Sequence, residues 1–92
     1  MSDHEEGLVN QYEHEIRALC VRAELGEDIP AVVETVIARA VEHFRIVRSG
    51  DPQANLTAFR GRLQIIADAT HSSQQAFKRT LQHAINICPT EI

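Results

Sequence analysis

Five histidines and two cysteines are the side chains of this 92-residue chain with the widest range of chemistry. Metal sites in helical bundles need glutamates from two helices and two Glu-x-x-His pairs, and the chain contains no Glu-x-x-His. Asp68 and His71 form its one acid-x-x-His pair, and the cysteines lack the paired spacing of zinc ligands. The sequence therefore predicts no metal site and no cofactor.

Nucleophilic chemistry would need a thiolate or hydroxyl with a neighbouring base. Cys20 falls deep within one helical pattern, and Cys88 falls near the end of another, where the helix dipole disfavours an anion. Both occupy stripes that are otherwise apolar, which is typical of core residues. Since the chain also has no glycine-rich phosphate loop, we expect no catalytic residues, no small-molecule substrate and no enzymatic activity.

The elements that must position any functional residue are amphipathic helices with start and stop signals. Asp28 and Asp51 precede prolines and are expected as N-caps, and Gly26 supplies a stop signal. We therefore predict an all-α bundle of four short helices. The predicted helices span about residues 3–25, 29–48, 52–70 and 73–88.

The boundary between the last two helices is the least defined part of this prediction. Ser72 and Gln75 have the spacing of a capping box, which favours a fourth helix that begins at about residue 73. If residues 70–73 stay helical, the bundle has three helices and the last one is long and bent. Each of the four predicted stripes contains one aromatic residue, as a shared core would. These aromatic residues are Tyr12, Phe44, Phe59 and Phe77.

Composition and charge limit the class of protein. With 43% hydrophobic and 24% charged residues, the chain fits one folded helical domain over residues 1–92. No run approaches the roughly 18 apolar residues of a membrane span, and no basic, apolar leader is visible, so we expect a cytoplasmic protein with reduced thiols.

The charge is unevenly distributed between the two halves. Residues 1–38 carry a net charge of −7 and residues 39–92 a net charge of +3. This asymmetry suits a basic binding face, and it equally suits two halves or two chains that attract one another.

The predicted third helix has a second column of small residues, nearly opposite its apolar stripe at 100° per residue. A glycine inside a helix costs about 1 kcal/mol relative to alanine, and close approach of another helix backbone would explain one here. The helix is therefore either the central helix of the monomer or one that presents this column to a partner. The column consists of Ala54, Ala58, Gly61, Ile65 and Ala69.

Residues 66–79, IADATHSSQQAFKR, resemble the helix-turn-helix family over about 20 residues. Residues 66–70 resemble its first helix, Ser73 the cap of its second, and Phe77 and Leu81 the buried positions of that helix. His71 and Ser72 stand where the family has glycine and an apolar residue.

The resemblance to the helix-turn-helix family implies that the last helix binds DNA. Its recognition residues would be Gln74, Gln75, Lys78, Arg79 and Gln82, and Arg60 and Arg62 would contact phosphates nearby.

Our leading interpretation is a non-enzymatic regulatory or adaptor protein that binds another protein and forms a homodimer or other homo-oligomer through the column on the third helix. The alternative is a helix-turn-helix DNA-binding regulator that uses residues 66–88. These interpretations differ in partner, since the first requires a protein surface and the second a nucleic acid. No membrane partner is expected.

Overall fold

The computed structural model describes residues 3–47 and 50–92, with side chains from Gly7 onward, and it confirms an all-α bundle of four helices. Each helix packs against the other three. The helices are α1 (Asp3–Glu24), α2 (Pro30–Ile46), α3 (Pro52–Ala69) and α4 (Gln75–Ile87). Residues 70–74 are not helical, so the alternative of three helices is wrong. The predicted end of the second helix, residue 48, lies outside the described residues.

Local capping chemistry explains where α2 and α3 begin. The Asp51 side chain accepts a hydrogen bond from the Gln53 N–H at 3.0 Å, which confirms Asp51 as the N-cap of α3. Asp28 is not a cap, because Pro30 is the first residue of α2 and the residue before it, Ile29, takes the N-cap position. Ile29 makes no side-chain cap and is buried in the core instead.

The end of α1 follows from Gly26, which adopts φ 97°. In this left-handed conformation, which favours glycine, the Gly26 N–H bonds to the Ala23 carbonyl at 3.0 Å. The Glu27 N–H bonds to the Arg22 carbonyl at 3.1 Å, so the helix ends in a Schellman motif.

The start of α4 is capped by another helix. The predicted capping box at Ser72 is wrong, and Gln74 occupies the N-cap position without a side-chain cap. Ser73, which was expected to cap this helix, instead donates its N–H to His71 Nδ1 at 3.1 Å. The Phe77 N–H donates to Glu24 Oε2 at 2.9 Å, so a carboxylate at the end of α1 satisfies the first turn of α4.

One core lies between the four helices. Tyr12, Phe44 and Phe59 form an edge-to-face series with ring centroids 5.8 Å and 5.7 Å apart. Phe77 is only half-buried and packs at the margin of the core. The predicted apolar stripes otherwise supply the core, with Asn55 as a buried polar addition that the pattern did not predict.

Within residues 3–47 and 50–92, no helix combines the length and the apolar character needed to cross a membrane.

Candidate functional site

The small-residue column of α3 lies on the surface. All five predicted residues, Ala54, Ala58, Gly61, Ile65 and Ala69, are exposed, and 68% of Ile65 is accessible to solvent. A Cβ atom added to Gly61 would meet nothing within 4 Å in the part of the chain that the structure describes. The column is therefore not covered inside the monomer, and α3 is not a helix packed on both sides.

The exposed side of α3 is also nearly free of charge. Thr57, Gln64 and Asp68 complete it, and we define the helix 3 face as these three residues together with the five of the column. Asp68 is the one charged member of this face. By contrast, the exposed side of α2 carries four charged residues, namely Glu34, Arg39, Glu42 and Arg45. The apolar pattern alone did not identify the polar members, although their positions at 100° per residue place them there.

A shallow depression adjoins the carboxyl end of the helix 3 face. Ile65 and Ala69 line it together with Phe77 of α4 and Arg17 of α1. Arg17 makes a surface ion pair with Glu13, with Nε 3.7 Å from a carboxylate oxygen, and about half of its side chain is exposed. Sequence reasoning missed Arg17, because only the packing of α1 against α3 brings it to this edge.

The arginines beside the helix 3 face contact their own chain. Arg62 forms an ion pair with Glu13 at 3.5 Å and a hydrogen bond with Asn10, both on α1. The positive charge of Arg60 acts on the thiol of Cys88, the residue that follows α4, and partly offsets the rise that burial causes in its pKa. Both arginines are half-buried, so neither is displayed as the freely exposed phosphate contact that the helix-turn-helix resemblance implied.

The structure places most of the predicted recognition residues on one side of α4. Gln74, Gln75, Arg79 and Gln82 are exposed, whereas Lys78 is half-buried. The break at residues 70–74 lies where a helix-turn-helix needs its turn. The arrangement thus presents amide and guanidinium groups to solvent, which are the groups suited to base edges.

Carboxylates from α1, from α2 and from the connection between them lie beside this helix. Glu24 binds the Phe77 N–H, and Glu27 and Asp28 line a groove together with Arg79. Glu34 Oε2 lies 3.6 Å from Nε2 of His83 on α4. A duplex that approached α4 would therefore meet negative charge from its neighbours, which disfavours contact with phosphates.

Ion pairs also join the acidic and basic halves of the chain. Arg39 on α2 bonds Glu15 on α1 at 2.7 Å, and Arg62 on α3 pairs with Glu13 on α1. Part of the opposite charge on the two halves of the sequence is thus paired within the molecule, by ion pairs between helices. The positive charge of residues 39–92 does not form a free basic surface at these positions.

The thiols and the tyrosine hydroxyl, which are the groups with potential chemical reactivity, are buried in the core. Burial raises the pKa of the Cys20 thiol to about 12 and that of Cys88 to about 11, so both thiols stay protonated and unreactive at neutral pH. The Tyr12 hydroxyl lies 2.9 Å from His43 Nδ1, and burial raises the pKa of Tyr12 as well. Among residues 7–47 and 50–92, no three histidine, cysteine or carboxylate side chains converge as metal ligands would.

The chain matches no protein-family model, and the comparisons with curated proteins and with solved structures found no match either.

Proposed function

We propose that this protein acts by binding another protein, without catalysing a reaction, and that it associates with itself through the helix 3 face. The observation that carries this proposal is the open space over Gly61. A glycine in a helix interior costs about 1 kcal/mol relative to alanine. No described part of the same chain packs closely on Gly61, so a contact outside the monomer would explain why a residue without a side chain stands there.

The chemistry of the helix 3 face supports association. Full burial of an isoleucine side chain contributes roughly 1.5–3 kcal/mol, and Ile65 is mostly exposed in the monomer. The alanines and Gly61 allow another helix to approach closely, and a partner would desolvate few charges because Asp68 is the one charged residue of the face.

The state of the thiols supports a role without catalysis. Cys20 and Cys88 are the nucleophiles with the greatest intrinsic reactivity in the chain, and both are buried in the core with a raised pKa. A thiol of this kind packs as a small apolar side chain.

Two substitutions on the helix 3 face test the proposal. Gly61→Leu places a bulky side chain where the partner helix would approach most closely, and Ala58→Glu places a charge beside it. Each substitution should therefore shift the protein from dimer to monomer. Sedimentation velocity over a wide concentration range measures this shift. Ala31→Glu is the control for Ala58→Glu, because Ala31 is also an exposed alanine but belongs to the first turn of α2. Unchanged oligomeric mass in both helix 3 variants would contradict the proposal.

Gly61→Leu also separates association from folding. Leucine is a better helix former than glycine by up to about 1 kcal/mol, and the added side chain meets open space in the monomer. The isolated monomer should therefore be as stable as the parent or more so. Loss of the dimer cannot then be attributed to unfolding, and circular dichroism at dilution checks this control.

Nucleic-acid binding is the second candidate, and the shared exposed side of Gln75, Arg79 and Gln82 favours it. The carboxylates around α4 weigh against it, so we expect no binding of a fluorescent random-sequence duplex at low salt. Fluorescence anisotropy measures this. Binding that weakens steeply at about 200 mM salt, and that is lost when Lys78 and Arg79 are both changed to alanine, would instead favour the helix-turn-helix function.

A further inference from the structure

We infer, on the basis of the proposed function, that the partner on the helix 3 face is a second copy of this chain, with its α3 antiparallel, related by a twofold axis that passes beside Gly61. Gly61 lies near the middle of the face, seven residues after Ala54 and eight before Ala69. An isologous pair therefore superposes the two faces from end to end. This arrangement brings both ends of the face into the contact.

The order of side-chain sizes fits this symmetry. With the axis at Gly61, Ile65 of one copy lies at nearly the same height as Ala58 of the other, at about 1.5 Å per residue. At 100° per residue, both positions also lie on the same side of the line along which the two helices touch. The largest side chain of the face thus meets a small one, and the two glycines meet at the point of closest approach.

The charges at the two ends of the face are complementary in the antiparallel arrangement. Arg17 lies beside the carboxyl end of the helix 3 face, and Asp51 precedes its amino end. The twofold axis brings each Arg17 towards the carboxylate of Asp51, the N-cap of the partner's α3. It also brings Asp68 close to the positive end of the partner helix dipole.

A parallel pair would lose this complementarity. Each Asp68 would lie against the same residue of the other copy near the carboxyl end of the face, and the like charges would repel one another in a contact with few other charges. In the antiparallel pair the two Asp68 positions are separated along the helix axis by roughly 21 Å.

The size of the face also indicates the strength of the contact. Ala54 to Ala69 span roughly 22 Å of helix, and a standard stable interface buries about 800 Å² from each partner. One helix side with a flanking arginine is smaller than this. We therefore expect a dimer that dissociates on dilution.

Disulfide cross-linking distinguishes the two orientations. Ala54→Cys and Ala69→Cys place thiols at opposite ends of the face, and both sites are exposed. Mixed together under mild oxidation, with one variant carrying a size tag, the two should form the mixed disulfide rapidly. Each variant alone should cross-link at least tenfold more slowly, because its own thiols lie far apart in the dimer. The parent chain is the control for Cys20 and Cys88, which are buried.

Three other results would each contradict the antiparallel arrangement alone or together with the proposed function. A dimer in which Ala54→Cys cross-links with itself as fast as with Ala69→Cys would overturn the antiparallel arrangement and leave self-association intact. A monomeric mass at every concentration, without cross-links, would overturn the proposed function together with this inference. A dimer that forms no cross-link at either position would also overturn both, since it would have to use another surface.

Discussion

Phe44→Ala is expected to lower the free energy of unfolding by about 3–5 kcal/mol, the largest effect of any single substitution considered for this protein. Phe44 is fully buried, and its ring makes edge-to-face contacts with both Tyr12 and Phe59. Truncation removes the buried ring surface, leaves a cavity and abolishes both aromatic contacts. Chains of this size have total stabilities of about 5–14 kcal/mol, so the variant should be partly unfolded at moderate temperature.

Phe77→Ala is the matched control, because it makes the same chemical change at a half-buried position outside the aromatic series. We expect it to cost about 1–2 kcal/mol, since the site is open and can be refilled by water. Urea unfolding followed by circular dichroism measures both values. Equal losses in the two variants would show that the aromatic series is not the centre of the core.

The second large effect is a fall in stability as pH rises above about 9. Burial holds the pKa of Cys20 at about 12 and that of Cys88 at about 11, above the ordinary thiol value of 9.0. Above pH 9 the unfolded chain loses these protons while the folded chain retains them, so the folded state binds more protons and its stability declines with pH. Each thiol should cost roughly 1.4 kcal/mol by pH 10, or about 3 kcal/mol together.

The measurement compares urea unfolding at pH 8 and pH 10, in reducing buffer, for the parent chain and for a variant with both Cys20 and Cys88 changed to alanine. The variant should be less stable at pH 8 because of the cavities it contains, but it should lose about 3 kcal/mol less between the two pH values. Tyr12 contributes equally to both chains and cancels. The same pH dependence in the two proteins would contradict the protonated, buried state of the thiols.

The helix ends show which parts of the fold are encoded locally. Asp51 could be predicted as a cap because it stands directly before the first proline of its helix, and one hydrogen bond to Gln53 completes the motif. Asp28 stands one residue further from its proline, and the same rule, applied strictly, identifies Ile29 as the N-cap. The cap of α4 had no local signal, since Glu24 lies 53 residues before Phe77.

The candidate site likewise combines features that local sequence encodes with features that depend on long-range packing. The column of small residues could be predicted from the spacing of residues within α3, because helical periodicity involves only residues that are close in sequence. Its exposure could not, because the packing of segments distant in sequence decides whether another helix covers the second side of α3, and here none does among the described residues. Arg17 beside Ile65, and Arg62 bound to α1, depend on long-range contacts that spacing does not report.

The carboxylate of Glu24 at the first turn of α4 has a consequence for the order of folding. α4 has 13 residues, no capping side chain of its own, and no acidic residue in its first turn. Isolated helices of this length are marginal in water. The helix gains this terminal hydrogen bond only when the carboxyl end of α1 lies beside it, so we expect α4 to reach its full stability only after it has packed against α1.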